Sequence, residues 1–154
     1  QVKKIAAQIR EELDCEGIVY APHVELGIMI ETPAAAIISD LLAKEVDFFS
    51  IGTNDLTQYT LAIDRQNAML DQFYQPYHKS VLRLMKLVAD NAHRNHIWCG
   101  ICGDLGSDLE MTPLFLAMGI DEISVPPSSI LAVRKKVRET NVSMIQNQLF
   151  EKWL

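Results

Sequence analysis

The chain has 154 residues, a length typical of one domain, and 49% of them are hydrophobic, which is enough for a buried core. Its formal net charge is -6 and it has no long run of Lys or Arg. This argues against nucleic acid or an anionic membrane as partner, because both select clustered basic residues. No stretch of about 18 apolar residues occurs, so the sequence predicts no transmembrane helix.

The start of the chain and its cysteines indicate where the protein works. The chain begins with Gln1 instead of Met and leads directly into a helical pattern. We therefore expect a segment of a longer protein, without the long apolar stretch and cleavage site of a signal peptide. The three cysteines, Cys15, Cys99 and Cys102, are an odd number and do not suggest a disulfide framework. The expected compartment is the reducing cytoplasm.

Helical and strand patterns alternate along the chain. In chain order, the predicted helices cover residues 3–13, 33–44, 54–63, 79–95, 108–118, 128–139 and 143–153. The predicted strands cover residues 24–31, 47–52, 97–102 and 122–125. Thr32 and Thr53 are expected to cap the helices that follow the first two strands. Ser107 and Glu110 match a capping box for the helix at 108–118.

This alternation predicts the fold class. Strands that alternate with helices form a parallel sheet covered by helices, and short, almost entirely apolar strands are typical of sheets buried on both faces. A complete eight-stranded β/α barrel needs about 250 residues. The sequence therefore predicts an α/β fold of four βα units, half of a (β/α)8 barrel.

Polar residues at the predicted strand ends are candidates for a binding site, because ligands of β/α barrels bind at the C-terminal ends of the strands. Glu31 ends the first strand, and Asp55 follows the second. Carboxylates on neighbouring strand ends suit Mg²⁺, which takes one or two of them. Each carboxylate alone is explained equally well as a favourable charge at the start of a helix.

The same strand end offers groups for an anion. The segment 52–55 begins a helix, so its backbone N–H groups could bind a phosphate, although many helices begin this way. Arg65 follows in the next connection. Its guanidinium could pair with phosphate in a fork, or it could be an ordinary solvated arginine at a helix end.

The Cys99-Gly100-Ile101-Cys102 motif does not predict a redox pair or a zinc site. Residues three apart on a strand point to opposite faces, and no second ligand pair is present for zinc. We expect Cys99 to be a small buried hydrophobe. Cys102 ends the strand, where its thiol could act as an acid or base or be inert.

Three blocks carry a resemblance to a known family: ETPAAA at 31–36, FFSIGTNDLTQYTLAIDR at 48–65 and GICG at 100–103. With them the chain resembles the phosphoenolpyruvate-utilising enzymes, and within that family most closely the enzyme I group of bacterial sugar phosphotransferase systems. The resemblance runs from about residue 11 to about residue 141. It implies the second half of a phosphoenolpyruvate-binding barrel, with the first half and the phosphohistidine domain absent from residues 1–154.

The resemblance also implies roles for five residues. Glu31 and Asp55 would bind Mg²⁺, whereas Asn54, the backbone of Asp55 and Arg65 would hold phosphoenolpyruvate. Cys102 would donate a proton to the enolate carbon after the phosphoryl group leaves. Asp104 stands where the family usually has Glu, a change that could shift the loop after Cys102.

The resemblance leaves three functions to compare. The first is a fragment of a phosphoenolpyruvate-dependent phosphotransferase, which passes phosphate to its own histidine and then to a histidine phosphocarrier protein. The second is a fragment of a pyruvate phosphate dikinase or phosphoenolpyruvate synthase. The third is a non-catalytic dimerisation module, since a homodimer is expected from the family and from the open edges of a half barrel.

Overall fold

Four parallel strands form one sheet in the computed structural model, which describes residues 1–154. The strands lie side by side in chain order: β1 Gly27–Ile30, β2 Phe48–Gly52, β3 Trp98–Cys102 and β4 Glu122–Ile123. Each pairs in parallel with the next. This confirms the α/β class and agrees with half of a barrel.

Helices make the connections between the strands. They are α1 Val2–Glu16, α2 Pro33–Ile37, α3 Ser39–Leu42, α4 Thr53–Leu61, α5 Lys79–Arg94, α6 Thr112–Met118, α7 Ile130–Glu139 and α8 Val142–Trp153. Short 3-10 helices cover Ala68–Phe73, Asp104–Ser107 and Pro127–Ser129. None of the α-helices is both long and apolar enough to cross a membrane.

The two faces of the sheet differ in what covers them. One face is packed against the helices, and its fully or almost fully buried residues are Ile30, Phe49, Ile51, Cys99 and Ile101. The most extensively buried helix against it is α5, because its apolar residues recur every three or four positions. The opposite face, here called the inner face, holds Gly27, Met29, Phe48, Ser50, Gly52, Trp98, Gly100, Cys102 and Glu122. It is open, with Met29 48% exposed.

Two predicted helix starts are wrong. Thr53 does not cap α4: Gly52 occupies the cap position, and the Thr53 hydroxyl donates to the Cys102 carbonyl at 2.9 Å. The capping box also fails, because the 3-10 helix Asp104–Ser107 precedes α6 and the Asp108 carboxylate accepts from the Glu110 N–H at 2.8 Å. At Thr53, a contact with a distant strand uses the hydroxyl that the local pattern assigns to a cap. At Glu110, a turn uses the backbone N–H.

Other boundaries also differ from prediction. The single helix predicted at 33–44 divides at Ile38 into α2 and α3. Next to the break, the buried Ser39 hydroxyl donates to the Ala36 carbonyl at 2.7 Å and accepts from the Asn91 amide of α5 at 2.8 Å, contacts of the kind that compete with a regular helix. The predicted cap at Thr32 is confirmed, since its Oγ1 accepts from the Ala35 N–H at 3.2 Å.

Candidate functional site

Strand register arranges the residues of the inner face in layers across the sheet. Ser50 on β2 lies beside Gly100 on β3, which lies beside Glu122 on β4. One layer further toward the strand ends, Gly52 lies beside Cys102. The polar groups of the site therefore collect at the C-terminal edge of the sheet, as expected for a parallel sheet of this kind.

Glu31 follows the last residue of β1, and its side chain lies over the neighbouring strand. A Cβ atom added to Gly52 would be only 2.6 Å from Glu31 Oε1. Thr32, and not Glu31, caps α2. The Glu31 carboxylate thus lies at the end of β2, in the layer that also contains Cys102.

Asp55 and Arg65 form a loose ion pair beside this layer. Arg65 Nη2 is 3.5 Å from Asp55 Oδ1, and the two side chains are 33% and 36% exposed. The backbone N–H of Arg65 donates to Gln58 Oε1 at 3.2 Å, which fixes the connection after α4. The structure therefore brings these two predicted site residues together, with the guanidinium accessible to solvent.

Asn54 joins the loops that follow β2 and β3. Its Nδ2 donates to Asp104 Oδ2 at 3.0 Å, and the Asp104 N–H donates to Asn54 Oδ1 at 3.2 Å. Gly103 allows this close approach for two reasons. Its φ of 111° is a conformation that glycine adopts more readily than other residues, and a Cβ at this position would lie only 3.1 Å from Asn54 Oδ1. The Asn54 side chain is thus engaged by Asp104, and both loops are held as one unit.

Cys102 is partly exposed at the end of β3. Its sulfur accepts from Ser50 Oγ at 3.6 Å and donates to the Ile51 carbonyl at 3.7 Å. Cys99 lies on the opposite face and is fully buried, as predicted. Burial, with a smaller effect from Asp121, raises the pKa of the Cys99 thiol to about 12. The motif therefore contains one accessible and one inert thiol.

Two carboxylates, and not a full set of protein ligands, are available here for a metal ion. No group of three or more His, Cys, Asp or Glu side chains is arranged to hold a metal ion. Mg²⁺ differs from zinc in needing only one or two carboxylates, with substrate and water as further ligands. Glu31 and Asp55 supply hard oxygen donors of that kind around the end of β2.

Two residues of the site were given no contact or role by the sequence interpretation, although Asp104 was noted as a departure from the family. Ser50 contacts the Cys102 sulfur, and the Asp104 side chain holds Asn54. Ser50 left one signal in the sequence, because it is the only polar side chain in 48–51. Its partner lies 52 residues away on another strand, so only the strand register reveals it.

Comparisons with known proteins give a consistent result. The family model described as "PEP-utilising enzyme, PEP-binding domain" matches residues 1–142. A protein of Priestia megaterium is 44% identical over 149 residues, which are 97% of this chain and 26% of that protein. A protein of Listeria monocytogenes is 47% identical over 143 residues, 93% of this chain and 25% of that protein.

A relative from Haemophilus influenzae is 46% identical over 141 residues, 92% of this chain and 24% of that protein. All three relatives are named phosphoenolpyruvate-protein phosphotransferase. The chain spans about a quarter of the length of these curated relatives.

Proposed function

We propose a function from the premise that the chain belongs to the family of phosphoenolpyruvate-utilising enzymes, through their phosphoenolpyruvate-binding domain. In this proposal, it is the C-terminal half of the substrate barrel of a phosphoenolpyruvate-protein phosphotransferase. The names of the relatives favour this over a dikinase or synthase fragment. The whole enzyme would pass phosphate to its own histidine and then to a histidine phosphocarrier protein for sugar uptake. It would act as a cytoplasmic homodimer.

The observation that carries the proposal is the layer of Glu31, Gly52 and Cys102 at the C-terminal edge of the sheet. It sets the Glu31 carboxylate over Gly52, in the space that a side chain there would fill, and places the partly exposed Cys102 thiol on the neighbouring strand. For a small anionic substrate at this edge, the carboxylate would act by holding a cation that contacts the substrate, and the thiol would act as a proton donor. Both groups are needed to release and then protonate an enolate.

The charges around this layer suit a phosphorylated substrate. Glu31 and Asp55 would hold Mg²⁺, which when bound offsets the charge of the phosphate and carboxylate groups. Arg65 is near enough to exchange its loose contact with Asp55 for a paired contact with phosphate oxygens. Cys102 would then give its proton to the enolate carbon.

A calorimetric titration of phosphoenolpyruvate into the 154-residue chain tests this function. We expect binding that requires Mg²⁺ and that is lost in Glu31→Gln and in Asp55→Asn. Asp40→Asn is the matched control, because Asp40 is an exposed carboxylate on α3, outside the layer. Failure to bind, or equal binding without Mg²⁺ or in Glu31→Gln, would contradict the proposal for this chain.

A further inference from the structure

We propose that Ser50 is a positioning residue that orients the Cys102 thiol and makes it a better proton donor. The inference rests on the proposed function, in which Cys102 protonates the enolate. Ser50 would act through the sulfur atom and would not touch the substrate.

The contacts of the sulfur carry the proposal. Ser50 Oγ donates to Cys102 Sγ at 3.6 Å, and Sγ donates to the carbonyl of Ile51, the residue after Ser50, at 3.7 Å. The backbone of Cys102 is fixed separately, because its carbonyl accepts from Thr53 Oγ1 at 2.9 Å. One short segment of β2 therefore supplies both hydrogen-bond partners of the thiol.

Register explains why Ser50 can reach the sulfur. Ser50 pairs with Gly100, which has no side chain of its own to stand between Ser50 and Cys102 on the inner face. An added Cβ at Gly100 would lie 2.9 Å from Glu122 Oε2, so the neighbouring side chain from β4 leans over this glycine. A larger residue at position 100 would push apart the Ser50 and Glu122 side chains, which flank it in this layer.

The chemistry of the step determines which protonation state of Cys102 the hydrogen bond favours. When Cys102 protonates the enolate, a C–H bond forms, the S–H bond breaks, and its electron pair stays on sulfur as a thiolate. A hydrogen bond donated to an ionised acceptor is about twice as strong as one to a neutral acceptor. The Ser50 hydroxyl therefore favours the state in which the proton has left.

The Ile51 carbonyl, which accepts from the thiol, and three acidic residues of the surrounding elements work in the opposite sense. Glu31 lies over Gly52, Glu122 leans over Gly100, and Asp104 follows Cys102 by two residues. All three are acidic, and negative charge near a thiol disfavours the thiolate. Ser50 is the one side chain that donates a hydrogen bond to the sulfur.

The test measures the rate of Cys102 alkylation by iodoacetamide against pH, in a Cys15→Ser background. Cys99 does not interfere, since it is fully buried and its pKa is raised to about 12. We expect Ser50→Ala to raise the midpoint of the profile by about one pH unit, the effect of losing one hydrogen bond to a charged group. Ser50→Thr, which keeps the hydroxyl, should restore it.

Ser124→Ala is the matched control, because its hydroxyl donates to Glu122 Oε1 at 2.9 Å and not to the sulfur. Protection of Cys99 in each variant reports that the sheet is folded. An unchanged midpoint in Ser50→Ala, or the same shift in Ser50→Thr, would overturn the inference. The assay contains neither phosphoenolpyruvate nor metal, so its result is independent of whether the proposed substrate binds.

Discussion

Gly52 shows how a missing side chain can define a site. The Glu31 carboxylate occupies the space next to its Cα, and a Cβ there would lie 2.6 Å from Oε1. We expect Gly52→Ala to displace the end of the Glu31 side chain and to weaken Mg²⁺-dependent phosphoenolpyruvate binding by about 10- to 100-fold, as for other residues that support a metal ligand. Calorimetry would measure the affinity.

The same substitution should lower the free energy of unfolding by about 1 kcal/mol, a typical cost of a point substitution, because the clash falls on the Glu31 side chain from Cγ to Oε1 and not on backbone, and Gly52 has an ordinary φ of -79°. Gly17→Ala is the control for binding, since no atom lies within 4 Å of an added Cβ there. Unchanged binding in Gly52→Ala would show that the Glu31 position does not matter.

Tyr77 gives the structure a titration that can be observed directly. Its hydroxyl donates to Asp108 Oδ2 at 2.5 Å, and this hydrogen bond, with a smaller effect from burial, raises the pKa of Tyr77 to about 12. The folded value lies above the ordinary 10.0, so the hydrogen bond stabilises the fold fully below pH 10. That stabilisation is lost as the pH rises toward 12.

Desolvation and a hydrogen bond to Asp14 also raise the pKa of Tyr20, so the titration is done in a Tyr20→Phe background. Absorbance of tyrosinate should then show one late-titrating group in the folded chain. We expect Tyr77→Phe to remove it, and Asp108→Asn to move it back toward pH 10. Spectroscopy detects the Tyr77 titration better than unfolding experiments do, because Tyr77 is 42% exposed and solvent weakens the contribution of its hydrogen bond to stability. A wild-type titration without the late group would show that the hydrogen bond is absent in solution.

At the scale of elements, α1 and α5 are helices of similar length held in different ways. None of the 15 residues of α1 is buried, whereas α5 buries seven residues against the sheet and its neighbours. An ion pair between Lys3 and Glu45 at 2.9 Å joins α1 to the end of the segment after α3, but both side chains are largely exposed. Helices of 12–15 residues are marginal alone in water.

Amide hydrogen exchange should separate these two helices. We expect α1 to exchange close to the rate of an unfolded peptide, and α5 to exchange only through global unfolding. Mass spectrometry of peptic fragments would resolve the two. Equal protection would mean that α1 is covered in solution by another surface, such as a second copy of the chain.

The same two helices show what the sequence could predict. The spacing of Val81, Leu84, Met85 and Val88 predicts α5 and its apolar face, because the period of a helix is a local property. Leu84 is the one of the four that is only partly buried. The break at Ile38 and the role of Thr53 were missed, since each depends on a hydrogen bond to a distant segment. For the same reason no role for Ser50 could be predicted from the sequence.

At the scale of the whole molecule, the sheet is open. The outer edges of β1 and β4 have no strand partner, and the inner face exposes Met29. Unpaired edges next to an apolar face tend to associate. We expect sedimentation at high concentration to give twice the 17.4 kDa mass of one chain.

A charge on the inner face should oppose this association. Met29→Lys is expected to shift the chain toward the monomer, whereas Met144→Lys should not, because Met144 is an exposed methionine on α8. A wild-type chain that sediments as a monomer at every concentration would contradict the prediction.

Phe48 and Trp98 lie stacked on the inner face, and this arrangement affects the fluorescence of the chain. The rings of Trp98 and Phe48 are 4.2 Å apart and almost parallel, at 7°, while the other tryptophan, Trp153, lies near Tyr77 at the end of α8. Covering the inner face would take water away from the Trp98 indole and shift its fluorescence to shorter wavelength, without the same effect on Trp153. In a Trp153→Phe variant, the wavelength of the emission maximum would report whether the inner face is covered.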